Sequence, residues 1–140
     1  MGTRSSIAME HPDGSITSIY CHWDGYPRHN GKMLFNHYGQ EKVIQLLSLG
    51  DISSLAADIG TKHDFDQSPN GEVNAYGRDR GDTDTEAVTH ASIAEWVKEC
   101  GQEYNYLLDT NGVWLMSGGW SPTPRNLSPL QDELEKDSNT

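Results

Sequence analysis

Cysteine is scarce in this chain. Cys21 and Cys100 are the only two in 140 residues, and they form no CxxC pair. That argues against a disulfide scaffold and a Cys-based zinc ribbon, and suits a cytosolic protein with reduced thiols. A lone Cys21–Cys100 bridge is the alternative. Long apolar runs are missing too. No stretch of eighteen apolar residues occurs, so no membrane-spanning helix is expected. The opening MGTRSSIAMEHPDG has no apolar segment of the secretory-signal kind. Its Gly2 and Ser6 fit the loose myristoylation pattern, but the same residues read as a strand. Hydrophobic residues make up only 34%, so the core must be economical and some segments irregular. The length still supports one modest core, hence one domain.

Basic charge is also short. The net charge is −11, and it is uneven. Residues 1–50 balance four Lys or Arg against four Asp or Glu. Residues 51–140 hold six against seventeen and carry the whole excess. An acidic surface repels phosphate backbones, so direct nucleic-acid binding is not expected. It suits a basic protein partner, or a small anion where a few arginines converge.

What is present is patterned. RSSIAMEHPDGSITSIYCHW predicts a hairpin with PDG at its turn. DGYP ends the second strand. Met33, Leu34 and Tyr38 predict a short helix closed by Gly39, and EKVIQLLSLG predicts another. Ile52, Leu55, Ala56 and Ile59 sit at i, i+3, i+4 and i+7, which predicts a third helix with Asp51 as its N-cap. Residues 61–91 read as a long polar loop, with EVNAYG as a short strand. Ser92 and Glu95 form a capping box ahead of an apolar stripe, Ile93, Trp96, Val97 and Cys100. EYNYLLDTNGVWLMS predicts a second hairpin turning at Asn111-Gly112, with Trp114 in the core. The expected fold is α+β: a small antiparallel sheet built from two hairpins, with short helices packed on it, in the simplest version on one face. Residues 1–120 form the domain. Residues 121–140 are a Pro-rich exit followed by a frayed helix or mobile acidic tail. Trp120 is placed to close a pocket or a subunit contact.

One stretch is dense in chemistry. IYCHWDGYPRHNG carries Tyr20, Cys21, His22, Trp23, Asp24, Tyr26, Arg28 and His29. His22 and Asp24 have HxD spacing, but no HExxH or CxxC accompanies them. The plain reading is that Asp24 bonds His22 and fixes the turn; a metal held with His63 or Asp64 is the minor one. His22 oriented by Asp24 could serve as a general base, yet no GxSxG elbow supplies a nucleophile. The arginines and aromatics are more coherent. Arg28 lies among Trp23 and Tyr26, while Tyr76, Arg78 and Arg80 occupy AYGRDRGD. Bases stack on aromatic and guanidinium planes, and arginines grip phosphates. GRDRGD taken alone reads as a solvated loop in which Arg78 and Arg80 pair with neighbouring aspartates.

The runs YCHWDGY, NGK, LGDISSL, AYGRDRGD and EYNYLL resemble a family of small accessory proteins carried by bacteriophages, prophages and plasmids. The likeness covers most of residues 1–117. It implies a phage accessory protein in the host cytoplasm. Such proteins often counter host defence, and one class sequesters cyclic ADP-ribose-like or cyclic nucleotide signals. The resemblance assigns no residue a role.

The leading expectation is therefore a protein that binds a small nucleotide without turnover, as a homo-oligomer. Arg4, Arg28, Arg78 and Arg80 are the expected phosphate contacts. Trp23, Tyr26 and Tyr76 are the expected stacking surfaces, with His22 and Asp24 shaping the turn or bonding the ligand. No cofactor or metal is expected. Two alternatives stand beside it: an acidic decoy for a nucleic-acid-binding defence protein, and a small nucleotide hydrolase.

Overall fold

Strand alternation and two tight turns build the sheet. In a computed structural model, residues 2–118 and 127–138 are described. The chain runs β1 (Ser5–Glu10), β2 (Ile16–Cys21), α1 (Lys32–His37), α2 (Gln40–Ser48), β3 (Ile52–Ser54), β4 (Asn74–Ala75), α3 (Tyr76–Arg80), β5 (Val88–His90), α4 (Ile93–Cys100), β6 (Tyr104–Leu108), β7 (Trp114–Gly118), β8 (Ser128–Pro129) and α5 (Leu130–Ser138). β1 and β2 form the first hairpin, from Ser5↔Cys21 to Glu10↔Ile16. β6 and β7 form the second, from Tyr104↔Gly118 to Leu108↔Trp114. Its turn is held by Asp109, whose Oδ1 accepts the Asn111 and Val113 amides at 2.9 Å each.

The α+β class and both hairpins are as the sequence indicates. The sheet is mixed, however, rather than wholly antiparallel. β1 pairs in parallel with β6, and Cys21 of β2 pairs in parallel with Ile52 of β3. The order is β4-β3-β2-β1-β6-β7-β8, with β5 also on the β2 edge. Helices cover both faces, not one. On the first face, Ile7, Ile19, Tyr106 and Leu108 pack against Leu34, Val43, Leu46, Leu130 and Leu134 from α1, α2 and α5. On the second, Ala8, Ile16 and Leu107 pack against Trp96 and Val97 of α4. The physical reason is plain: the alternate strand positions are also apolar at these three residues, so that face needs its own cover.

The helix expected from Ile52 to Ile59 is not formed. Ile52–Ser54 is a strand, because the free end of β2 needs backbone acceptors. The His22 amide donates to Ile52 O at 3.2 Å, and the Trp23 amide to Ser53 O at 3.0 Å. Asp51 is accordingly not a helix cap. Residues 61–91 are more structured than expected, holding β4, α3, β5 and a 3-10 turn at Phe65–Gln67. Residues 130–134 are not an extension outside the core. α5 places Leu130 and Leu134 in the first-face core. Trp120 and the Pro-rich exit lie outside the described residues. No helix among the described residues is long and apolar enough to cross a membrane.

Candidate functional site

α4 has eight residues, so it spans roughly 12 Å, whereas the six-residue strands beneath span about 20 Å. The helix cannot cover the whole second face. Moving along β1, Ala8 lies under α4, then come Ser6 and Arg4. Along β2, Ile16 lies under α4, then Ser18, Tyr20 and His22. These alternate positions share one side of the sheet. Just past the end of α4 they leave a cavity of about 150 Å³, lined by Ser6, Ser18, Tyr20, Asp51, Cys100 and Gln102, with Glu99 at its wall.

Asp51 is built into this cavity by its backbone. Gly50 has φ +76°, and a Cβ there would run into the Thr85 carbonyl. The Asp51 amide donates to Thr85 O at 2.7 Å, and its carbonyl accepts the Tyr76 amide at 3.3 Å. Its Oδ1 accepts the Tyr20 amide at 2.9 Å. Burial raises the Asp51 pKa above the usual carboxylate range, and the Tyr20 amide only partly opposes this.

A row of rings leads away from the cavity. The Tyr20 hydroxyl pairs with His22 Nδ1 at 2.7 Å, and His22 meets Trp23 edge-on at 4.7 Å. Trp23 is 42% exposed. Burial raises the Tyr20 pKa, and the Arg4 charge partly opposes this. Tyr76 stacks on Phe65 at 5.5 Å, and the Arg80 guanidinium sits 4.7 Å from both rings. Asp51, whose main chain takes the Tyr76 amide and whose side chain takes the Tyr20 amide, ties AYGRDRGD to IYCHWDG.

The nine expected site residues divide. His22 and Trp23 stand in the ring row, Tyr76 is tied to it through the Asp51 main chain, and Arg4 is exposed two residues before Ser6 of the cavity lining. Tyr26 and Arg28 turn away, lining a separate open groove of about 430 Å³ with Tyr104 and Glu133. Asp24 does not orient His22. It adopts φ +58°, and its Oδ1 accepts the Tyr26 hydroxyl at 3.1 Å, while His22 bonds Tyr20 instead. The general-base reading loses its orienting contact. Arg78 is engaged in the fold rather than offered to a phosphate. Its guanidinium donates to Ile59 O at 2.8 Å, Val73 O at 2.7 Å and Asp79 Oδ1 at 2.9 Å. Arg80 donates to Asp82 Oδ2 at 2.7 Å. The arginine–aspartate pairing expected of GRDRGD forms with Asp79 and Asp82, but the segment is the helix α3 rather than a solvated loop, and the Arg78–Asp79 pair is buried in the fold. His63, the remote ligand of the minor metal reading, bonds Thr61 O at 2.9 Å and Asn74 Oδ1 at 3.0 Å. Among the described residues no three His, Cys, Asp or Glu side chains are placed to hold a metal.

No family model, curated protein or solved structure matches the chain. Function has to be read from side chains and their contacts. Two further features matter. Ser18 Oγ lies 3.4 Å from His90 Nε2, and His90 Nδ1 lies 3.5 Å from Glu99 Oε2. This Ser–His–Glu relay ties β5 and α4 to β2. Ser18 sits mid-strand and is paired on both sides, with Ala8 and Val88, so neighbouring amides are in the ladder and not aimed at an oxyanion. Sequence reasoning missed Ser6, Ser18, Asp51 and Gln102. The polar alternation Arg4–Ser6 and Ser18–Tyr20–His22 was the signal available for the first two.

Proposed function

We propose that this protein binds a small nucleotide at the open end of the second sheet face and holds it without turnover. The observation that carries the reading is the juxtaposition of a polar cavity containing Asp51 with a ring row that ends in the exposed Trp23, Arg4 lying two residues before Ser6 of the cavity lining. Each part suits one part of a nucleotide. The exposed Trp23 ring and the half-buried Tyr20 ring suit a base. Arg4 is exposed two residues before Ser6 and suits a phosphate. The cavity is smaller than the ~300 Å³ at which pockets for whole drug-sized ligands begin, so it takes one ring of the ligand and leaves the rest over the aromatic row.

The resemblance to phage accessory proteins supports a biological setting for this binding. The protein withdraws a host defence signal, cyclic ADP-ribose-like or a cyclic nucleotide, from the host cytoplasm. It does so as a homo-oligomer, which multiplies the sites per particle. Incubation with a panel of these compounds, followed by filtration and heat release, tests the reading. Depletion of free ligand with intact recovery on heating supports it. Depletion with altered product indicates an enzyme, and no depletion across the panel refutes nucleotide binding.

A further inference from the structure

Asp51 is an odd residue to find in a cavity wall. Its Oδ1 is taken by the Tyr20 amide, but Oδ2 accepts no hydrogen bond from any other described residue, and Asp51 lines the cavity. Among the described residues no Lys or Arg lines that cavity, while a second carboxylate, Glu99, does. A half-buried acceptor with no cation beside it is poorly matched to a phosphate and well matched to O–H or N–H donors. Gln102 adds to this bias. Its Nε2 donates to Cys100 O at 3.4 Å, leaving its amide oxygen as a further acceptor.

Charge then sets the direction of the ligand. Phosphate is repelled by Asp51 and Glu99 and attracted by Arg4, so it points outward. The base has the ring row. The part of a nucleotide left for the cavity is the sugar, whose hydroxyls are donors of the right size and neutrality. We infer that Asp51 reads the ribose hydroxyls of the bound nucleotide, so that the protein selects ribonucleotides over their 2′-deoxy forms. This rests on the nucleotide reading above. The geometry sharpens the ligand class to nucleotides that keep a free 2′-hydroxyl; cyclisation through the 3′ and 5′ positions is tolerated.

The size of the effect follows from leaving a half-buried, charged acceptor unmatched. A hydrogen bond to a charged group gives a preference of roughly tenfold or more. Calorimetric titration with 3′,5′-cyclic AMP, 3′,5′-cyclic GMP and ADP-ribose, each beside its 2′-deoxy form, measures it directly on the wild-type protein. Asp51→Asn supplies the second arm. Asn keeps an oxygen for the Tyr20 amide but replaces the other acceptor by a donor. The expected result is at least tenfold weaker binding of the deoxy forms to wild type, with that preference lost in D51N. Equal binding of both forms to wild type overturns the inference while leaving nucleotide binding intact. A preference that survives in D51N also overturns it. If no ribonucleotide binds, the nucleotide reading itself fails and the inference with it.

Discussion

The Tyr20 amide donates to Asp51 Oδ1 at 2.9 Å, across the gap between the end of β2 and the start of β3. One bond would suit any turn aspartate. Here burial outweighs it, and the Asp51 pKa is raised. A raised carboxyl favours the fold while protonated. That contribution is lost as pH rises through the folded pKa, so at neutral pH the ionised group opposes folding. Asp51→Asn is therefore expected to melt at the same or higher temperature than wild type at pH 7. The difference should vanish below the usual carboxylate range, near pH ~4. Thermal melts at pH 3.5 and 7 check this. A lower melting temperature for D51N at pH 7 would show that the carboxylate is there for stability. The expected result is that of a site residue retained at a cost to stability.

Arg78 has the opposite character. Its side chain joins the 59–60 segment, Val73 and Asp79. Burial raises the Asp79 pKa, but hydrogen bonds from Arg78 and from the Ala75 and His63 amides outweigh it and hold the carboxyl below its ordinary value. Arg78→Ala leaves a buried carboxylate without its cation, a loss of about 3–5 kcal/mol. Lys is expected to restore little, since it cannot reproduce the planar fork. Urea unfolding of R78A and R78K measures both. Because the Asp79 pKa is depressed, its contribution is present above the unfolded carboxylate pKa and falls as pH drops through the folded one. Wild type should thus lose more stability on acidification than R78A.

The two thiols should behave differently. Cys21 is fully buried and burial pushes its pKa up to about 11. Cys100 is partly exposed and lines the cavity, and burial followed by Glu99 and Asp51 raises its pKa. Both are poor nucleophiles at pH 7. In native protein, iodoacetamide is expected to modify Cys100 slowly and Cys21 only after unfolding. A nucleotide seated in the cavity should slow Cys100 further. Peptide mass mapping with and without ligand reads both effects.

Leu130 is fully buried and contacts the first-face core through α5. Leu130→Ala should cost about 2–5 kcal/mol, as a core cavity does. A change under 1 kcal/mol by denaturant titration would mean that α5 is not docked in solution.

Much of this was legible in the sequence. Period-two alternation and the PDG and Asn111-Gly112 turns placed both hairpins. Ser92 Oγ accepts the Glu95 amide at 3.2 Å, and Glu95 Oε2 accepts the Ala91 amide at 3.1 Å, much as the capping box indicates. The misreading at Ile52 has a tertiary cause: helical spacing was real, but β2 offered a strand edge, and pairing outweighed local preference. The acidic composition of α5 hid two leucines four apart, enough to dock one turn. Arg78 could not be assigned from its neighbours, because its acceptors are carbonyls up to nineteen residues away. Asp51 was hidden likewise, since a glycine followed by aspartate signals a cap and its true partner is thirty-one residues back.

The most direct test of the account is where a nucleotide perturbs the protein. Amide chemical shifts recorded during titration with ADP-ribose and 3′,5′-cyclic AMP locate it residue by residue. Changes are expected at Arg4, Ser6, Ser18, Tyr20, Asp51, Tyr76 and Gln102, with their loss or weakening in Arg4→Ala. Changes centred on Tyr26, Arg28 and Tyr104, or none at saturating nucleotide, would contradict the account.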